Sequence, residues 1–356
     1  VALITYCGWD HENSLTDQLA TVATTSSPWQ WALKNNFAGI TRPGRFGFGG
    51  QLDLSLIGAY AGTASSPLSG ATAIVGQGVK LAPGGTGLFV FYDSATQTPL
   101  TGGGGLNQYQ FAIALVPSGH IQIWRQGVGS FQDLGANLYP AGTYFYFGIR
   151  ASCDPSGGAV ILELNGVTIA NLAGLNTRGG SVSRIDSFMY HSNGTFGPLI
   201  DDFYICDVTG SSPFNGFLGP VRVYTRFPSS AASTQFTPLT STNVSQIKET
   251  SMDSDTSYNF SSTVGQSDLF NADSIPSGAP PLACKVTAAA RQDSSGSRSL
   301  QTLLKTSSTT SGGAGVALSQ TYAYQSDIYT QDPDAGPGAW TNSSVNASQI
   351  GYSLTA

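Results

Sequence analysis

Two adjacent carboxylates, Asp201 and Asp202, stand inside the apolar run Leu199-Ile200-Asp201-Asp202-Phe203-Tyr204-Ile205-Cys206-Asp207. Acids placed together do one of three kinds of work: proton transfer, cation binding, or holding loop amides. Glycoside hydrolysis needs two carboxyl groups roughly 5–9 Å apart across the bond. On a strand, successive side chains point to opposite faces. Alternation therefore sets Ile200, Asp202, Tyr204 and Cys206 on one side and Asp201, Phe203 and Ile205 on the other. That pattern denies the two acids a shared face, and with it a catalytic pair. Asp201 or Asp202 alone at a sandwich rim suits Ca²⁺, a hard cation that takes oxygen ligands. The competing reading is that they cap loop amides or pair with Arg222 or Arg226.

The other reactive residue types are scattered. Glutamate occurs only at Glu12, Glu163 and Glu249, far apart in sequence. Asp253 and Asp255 can share a strand face, and with Glu249 and Asp268 they form an acidic stretch. It lacks the Gly and the final Glu that a helix-loop-helix calcium loop requires. His11, His120 and His191 lie in neither a G-x-S-x-G nor an H-E-x-x-H context, and no pair has transition-metal spacing. Gly44-Arg45-Phe46-Gly47-Phe48-Gly49-Gly50 is glycine-rich, but neither a Lys-Ser/Thr pair nor a helical pattern follows it, so it does not read as a phosphate loop. Cys7, Cys153, Cys206 and Cys284 form no C-x-x-C pair and read as buried free thiols.

The aromatics offer binding rather than catalysis. Trp9, Trp29, Trp31, Trp124 and Trp340 can stack on sugar rings. Trp29-Gln30-Trp31 puts two indoles on one strand face, which makes Trp29 and Trp31 the candidate glycan-binding pair. Against this stands packing in a core or an intersubunit contact.

The elements that would carry these residues read as strands. Leu52, Leu54 and Leu56 alternate with polar neighbours, as do Phe111, Ile113 and Leu115. Gly87–Tyr92 is a further strand. Ile121 and Ile123 face inward, while His120, Gln122 and Trp124 face the other way, with His120 a solvated strand-edge residue. Thr143–Ile149 suits a central strand buried on both faces. Asn165-Gly166 joins two apolar runs as a two-residue hairpin turn, because both turn positions need positive φ. Ser14–Val22 can hold a turn of helix, and Pro228–Ser233 reads as a linker. Cys284–Ala288, Leu300–Leu304, Gly315–Ser319, Ser326–Tyr329 and Gly351–Thr355 are short strand candidates. Many strands without helical periods between them predict an all-β chain.

Composition bounds the class. A chain of 356 residues is long enough for two cores. Charged residues are only 10% of it, far below the roughly 25% of ordinary soluble domains. Its surface must be covered by Ser, Thr, Asn, Gln and backbone, which suits proteins that pack into assemblies or work outside cells. The net charge of −6 argues against nucleic acid or an anionic membrane as main partner. No apolar run reaches the ~18–20 residues of a membrane helix. The opening Val1-Ala2-Leu3-Ile4 lacks a basic signal-peptide start and predicts a chain made in the cytoplasm that has lost its initiator Met.

Two resemblances add to this. Phe111–Trp124, the Asn165-Gly166 turn and Ile200-Asp201-Asp202-Phe203-Tyr204 together resemble the concanavalin A/laminin G-like jelly roll. Some laminin G-like domains ligate Ca²⁺ at the rim, which is what that resemblance implies for Asp201 and Asp202. The opening Ala2-Leu3-Ile4-Thr5-Tyr6-Cys7-Gly8-Trp9-Asp10 is similar to that of tailed-bacteriophage virion proteins. So are Asp201–Asp207 followed by Phe217-Leu218-Gly219-Pro220-Val221-Arg222-Val223, then Gln235–Pro238, Asp253–Tyr258, Val264–Asp268 and Trp340-Thr341. Pro220 departs from that group's usual aspartate.

The resulting expectation is an all-β chain. A jelly-roll sandwich spans residues 1–208, a connecting segment 209–225, and a second, smaller β-sandwich 226–356. The resemblance implies a non-enzymatic structural protein of a phage particle, assembled in the host cytoplasm. It would be a capsid decoration, head fibre or tail-associated part that contacts other virion proteins and forms a homo-oligomer, with a trimer favoured by analogy. The alternative is a carbohydrate-binding adhesin of the particle, with a surface glycan as partner. A glycoside hydrolase stands behind both. No cofactor is expected beyond the Ca²⁺ considered at Asp201 and Asp202.

Overall fold

The centre of the fold is set by three aromatic-rich strands that are buried on both faces. Gly87–Tyr92 and Ser187–Ser192 are buried at every position, and Phe145–Ile149 at all five of its residues. Strands buried on both faces must lie inside a sheet that is itself covered on both sides.

The computed structural model describes residues 3–8, 31–34, 39–41, 43–46, 51–55, 60–63, 68, 70–98, 106–193, 196–248, 253–294, 296–334, 336 and 338–355. Among these the chain divides into two compact units, the first ending at Val223 and the second running from Tyr224. The first unit begins with β1 (Leu3–Cys7), β2 (Trp31–Lys34), β3 (Gly39–Thr41), β4 (Gln51–Asp53) and β5 (Tyr60–Thr63). It continues with β6 (Thr72–Leu81), β7 (Gly87–Tyr92), β8 (Phe111–Val116), β9 (His120–Arg125) and β10 (Gly129–Asp133). It closes with β11 (Phe145–Ser152), β12 (Gly158–Leu164), β13 (Val167–Leu175), β14 (Ser187–Ser192) and β15 (Pro198–Cys206).

These strands make two antiparallel sheets. Sheet I runs β13-β12-β11-β6-β15-β4-β3, with β1 also paired to β15; sheet II runs β10-β9-β8-β7-β14-β5-β2. The chain crosses between them after β1, β2, β4, β5, β6, β10, β13 and β14, so many neighbours in space are distant in sequence. The layer between is aromatic. Phe91 stacks on Phe111 at 4.8 Å, Phe188 meets Tyr190 edge-on at 4.8 Å, and Phe89 reaches Phe147 of sheet I at 5.5 Å. Such pairs add about 0.5–1.5 kcal/mol each beyond the area they bury. One polar group sits among them. Gln77, fully buried, donates from Nε2 to the Phe147 carbonyl and accepts the Tyr190 hydroxyl, so its amide is satisfied.

The Asn165-Gly166 turn forms as the sequence predicts, with φ of 51° and 81°, and joins β12 to β13. Phe111–Leu115 differs from the alternating expectation, because β8 is buried on both faces. All four cysteines are free, three of them buried; burial pushes the Cys153, Cys206 and Cys284 thiols up to about 12. The Ser14–Val22 helix expectation lies outside the described residues.

The second unit is also antiparallel. Its strands are β16 (Pro228–Ser233), β17 (Thr237–Pro238), β18 (Asn259–Phe260), β19 (Ser267–Ala272) and β20 (Cys284–Ala290), then β21 (Ser299–Lys305), β22 (Thr310–Gly312), β23 (Val316–Ala317), β24 (Ala323–Tyr329) and β25 (Gln349–Leu354). The main sheet runs β16-β19-β25-β21-β22 with β23 on β21; β20 pairs with β24, and β17 with β18. Pro228–Ser233 is thus an edge strand and not a linker. Its pairing partner lies some forty residues on, which no local pattern reveals. A short helix, α1 (Asn342–Ala347), is capped reciprocally by Thr341 and Ser344. Of the two readings for the tryptophans, Trp340 takes core packing. It is fully buried with Val286, Leu304 and Val345, and its indole N–H donates to the Tyr329 carbonyl at 2.9 Å.

Candidate functional site

Asp201 and Asp202 do meet, contrary to the alternation argument. The register of β15 on β6 passes from Asp201 opposite Gly78 to Tyr204 opposite Gly76, three residues against two. This bulge costs β15 one step of alternation, and Asp202 takes φ 48° to make it. Both acids then reach Arg45. Asp201 accepts the Arg45 backbone N–H at 2.7 Å and the Asp202 N–H at 2.7 Å. Asp202 accepts the Val223 N–H at 2.8 Å and the Arg45 guanidinium at 3.4 Å. Arg45 also donates to the Val221 carbonyl and lies over the Tyr146 ring.

Residues 217–223 of the 209–225 stretch, which reads from sequence as a connection, are held to the same face of sheet I. Leu218 donates its N–H to the Tyr204 hydroxyl at 2.8 Å. Glycines make room for this layer: a Cβ on Gly76 would sit 2.3 Å from the Tyr204 ring, and one on Gly148 3.0 Å from Phe217. The acid pair thus organises a strap across sheet I. The guanidinium beside Asp202 is that of Arg45. Arg226 belongs to the second unit, where it donates to the Val345 and Ala272 carbonyls.

The remaining sequence candidates separate. Trp9, Trp29, His11, Glu12 and Glu249 lie outside the described residues. Trp31 starts β2. Asp253 caps Ser257, and Asp255 pairs with Arg291 at the surface. Asp268 is fully buried and accepts the N–H groups of Gln235 and Phe236 with the Tyr352 hydroxyl. No three His, Cys, Asp or Glu side chains converge as a metal site among the described residues.

One row of side chains faces outward with mixed chemistry. On β9, His120, Gln122 and Trp124 share the outer face of sheet II while Ile121 and Ile123 are buried, as the alternation predicts. On β8, Ala112 and Ala114 stand opposite Trp124 and Gln122; their small side chains let the indole lie down on the apolar patch of Leu88, Val90, Tyr92 and Met189. Strand β10 completes the row through a bulge. Ser130 pairs with Trp124 and Gln132 with Ile123, leaving Phe131 extra. The inserted residue brings Asp133 opposite Gln122, on the Trp124 side of the sheet.

The row is wired end to end. The Trp124 indole N–H donates to Gln122 Oε1 at 2.9 Å, and Gln122 Nε2 donates to Asp133 Oδ2 at 2.9 Å. His120 Nδ1 lies 3.0 Å from Asp133 Oδ1, which also accepts the Gly135 N–H at 2.8 Å. The hydrogen bond from His120, then those from Gln122 and Gly135, hold the Asp133 carboxyl down at about 2. The side chains of His120 and Asp133 remain 33% and 42% exposed, so the polar end is open to solvent. The row offers a planar apolar surface beside a fixed acceptor, an amide and an imidazole. It holds a single carboxylate, whereas acid–base hydrolysis needs two.

Two carboxylates do approach each other elsewhere, at the end of β7. Arg184 Nη2 bridges Asp93 at 2.6 Å and Asp186 at 2.8 Å. Asp93 also accepts from Thr96, and Asp186 from the backbone and hydroxyl of Ser94. Burial raises the Asp93 carboxyl, but the bonds from Thr96, Arg184 and the Ala95 N–H outweigh it and hold it below its usual range. Both acids are spent on closing a loop. Sequence reading missed this triad and Asp133, since their partners come from separate turns.

By its own sheet order the first unit is a jelly-roll sandwich of the concanavalin A-like kind, followed by a further antiparallel β region. No family model matches the sequence, and no curated protein does. Among solved structures the chain is similar in part to botulinum neurotoxin type C, whose uptake into cells depends on two ganglioside molecules; identity is 11%, coverage 58% of this chain and 47% of that one, TM-score 0.35. The match spans about half of the neurotoxin chain. It is similar also to the exoplasmic/lumenal domain of VIP36 in a Ca²⁺/Man2-bound form, at 10% identity over 60% of this chain and 97% of that one, TM-score 0.36. Lectin II from Ulex europaeus aligns at 8% identity over 49% and 91%, TM-score 0.34. At these identities and scores the likeness says nothing about site or ligand.

Proposed function

We propose that this chain is a non-enzymatic carbohydrate-binding protein that meets its glycan along the β9–β10 row. The observation that carries the reading is Trp124, laid on an apolar patch and fixed by Gln122 beside the exposed Asp133 and His120. Sugar rings present an apolar C–H face and a rim of hydroxyls. An indole accepts the first, and a carboxylate, amide and imidazole pair with the second. The test is glycan binding by the intact chain and by Trp124→Ala. Affinity falls about tenfold or more, roughly 1.4 kcal/mol; unchanged binding removes the row from the reading. The same assay on Trp29→Ala and Trp31→Ala asks whether that pair contributes.

A second reading, assembly as a surface-exposed accessory subunit of a tailed-phage particle, draws support from different observations. The chain is poor in charge, and edge strands β13 and β16 present uncharged, largely exposed residues. Mass in solution tests the expected trimer, and a map of an intact particle tests capsid or tail placement. The two readings are compatible, since a particle's glycan reader is also one of its subunits.

A further inference from the structure

The polar end of the β9–β10 row is rich in acceptors and poor in donors. An ionised carboxylate offers about four lone pairs. Three donors reach Asp133: His120 Nδ1, 3.0 Å from Oδ1 and 3.2 Å from Oδ2, the Gly135 N–H at 2.8 Å on Oδ1, and Gln122 Nε2 at 2.9 Å on Oδ2. Capacity for one further donor is left. An ionised carboxylate only accepts, so the proton of a neutral His120 ring is assigned to Nδ1. Nε2 then carries a bare lone pair, and it has no partner among the described residues.

The donors are nearly used up. The Trp124 indole N–H goes to Gln122 Oε1, and the Gln122 amide gives one of its two N–H bonds to Asp133. One side-chain N–H remains against two open acceptors. No fixed cation offsets the carboxylate either. The ion-pair partner of Asp133 among the described residues is His120. Arg125, the one arginine or lysine of β9 and β10, lies over the Phe131 ring and donates to the Asn176 carbonyl. A sugar hydroxyl donates into either open acceptor while the carbon face of its ring lies on the indole. A sugar carboxylate or sulfate sets lone pair against lone pair and adds a second negative charge.

We propose that the glycan of this row is an uncharged one, read through hydroxyl donors to Asp133 and to His120 Nε2, and that the row turns away saccharides whose stacked ring carries a carboxylate or sulfate. This inference rests on the row being the glycan site and names the chemical class that the site takes.

The probes are homo-oligosaccharides of glucose, galactose and mannose. Each is paired with the form whose C6 hydroxymethyl groups are all oxidised to carboxylates, so that whichever ring stacks is charged. Calorimetry on the intact chain, in mildly alkaline buffer at low salt, gives the ratio of affinities within each pair. A neutral member binds, and its acidic partner binds about fivefold more weakly or worse, because like charges a few ångströms apart repel even across water. Added salt narrows the ratio. Asp133→Asn removes the charge and keeps an acceptor, so the ratio falls toward one even where all binding weakens. An acidic member that binds as well as its neutral partner overturns the proposal, as does a ratio that Asp133→Asn leaves unchanged. If Trp124→Ala still abolishes binding in those cases, the row stands as the site and only the class is wrong. If no oligosaccharide binds, or if Trp124→Ala binds as the intact chain does, the row reading falls and this inference falls with it.

Discussion

Asp202 and Asp133 are the same side chain in opposite settings. Asp202 is 4% exposed on sheet I, beneath the strap, and shares Arg45 with Asp201. Asp133 is 42% exposed at the edge of sheet II, and its partners are two neutral-capable side chains and one backbone amide. Both reach their places through a β-bulge, in β15 and in β10. The difference lies in what covers them. The strap turns the first carboxylate inward, where its bonds hold the fold together. Nothing described covers the second, where the same kind of bond fixes a group that still has lone pairs for a ligand. Burial, more than residue type or local geometry, separates a structural acid from a candidate binding acid here.

The largest effect expected from breaking this contrast is at Asp202. Asp202→Ala leaves the Arg45 guanidinium buried without its carboxylate and frees the Val223 N–H. Removing one partner of a buried ion pair costs about 3–5 kcal/mol, so urea unfolding should show a loss of that order in the first unit. A loss below about 1 kcal/mol, the range of surface pairs, would place Asp202 in the same class as an exposed acid and dissolve the comparison. Asp202→Asn, which keeps an acceptor for the Val223 N–H, should lose less.

The middle effect isolates the β10 bulge. A glycine inserted between Gln132 and Asp133 carries Asp133 one step along β10, off Gln122 and onto the Ile121 and Ile123 side of the sheet. Glycan affinity should then fall by about tenfold, as for Trp124→Ala, while the urea midpoint moves less than in Asp202→Ala. Cross-strand nuclear Overhauser contacts between residues 122 and 133 report whether the register has reset. If they reset and binding persists, Asp133 is not part of the site.

These bulges also mark where sequence reading stops. The outward face of β9 was legible because His120, Gln122 and Trp124 alternate with Ile121 and Ile123. So were the buried Phe145–Ile149 part of the TYFYFGI stretch and the Asn165-Gly166 turn, each a matter of neighbouring residues. The faces of Asp201 and Asp202 are not legible, because one inserted residue reverses parity and nothing in the local residue types announces the insertion. Arg45 reaches them across 156 positions of sequence, and Asp133 reaches His120 across thirteen. The sequence leaves Trp340 open between sugar stacking and core packing, because five tryptophans look alike until burial sorts them. Periodicity sees one strand at a time; the site and the strap are agreements between strands.

The smallest expected effect concerns pH, and it sharpens the contrast from the other side. The carboxyl of Asp133 is held at about 2 by His120, Gln122 and the Gly135 N–H, below the roughly 3.9 of a free aspartate. A depressed folded value means the unfolded chain takes up the proton first. The contribution is fully present above about pH 4 and is lost as pH falls toward 2. Because the group is open to solvent, the contribution is small and salt weakens it further. Asp133→Asn should therefore leave stability at pH 7 nearly unchanged and flatten only the pH 2–4 segment of the profile. A steep loss at neutral pH in that variant would mean that Asp133 supports the sheet as Asp202 does, and the exposed row would have to be read as structure instead of as a binding surface.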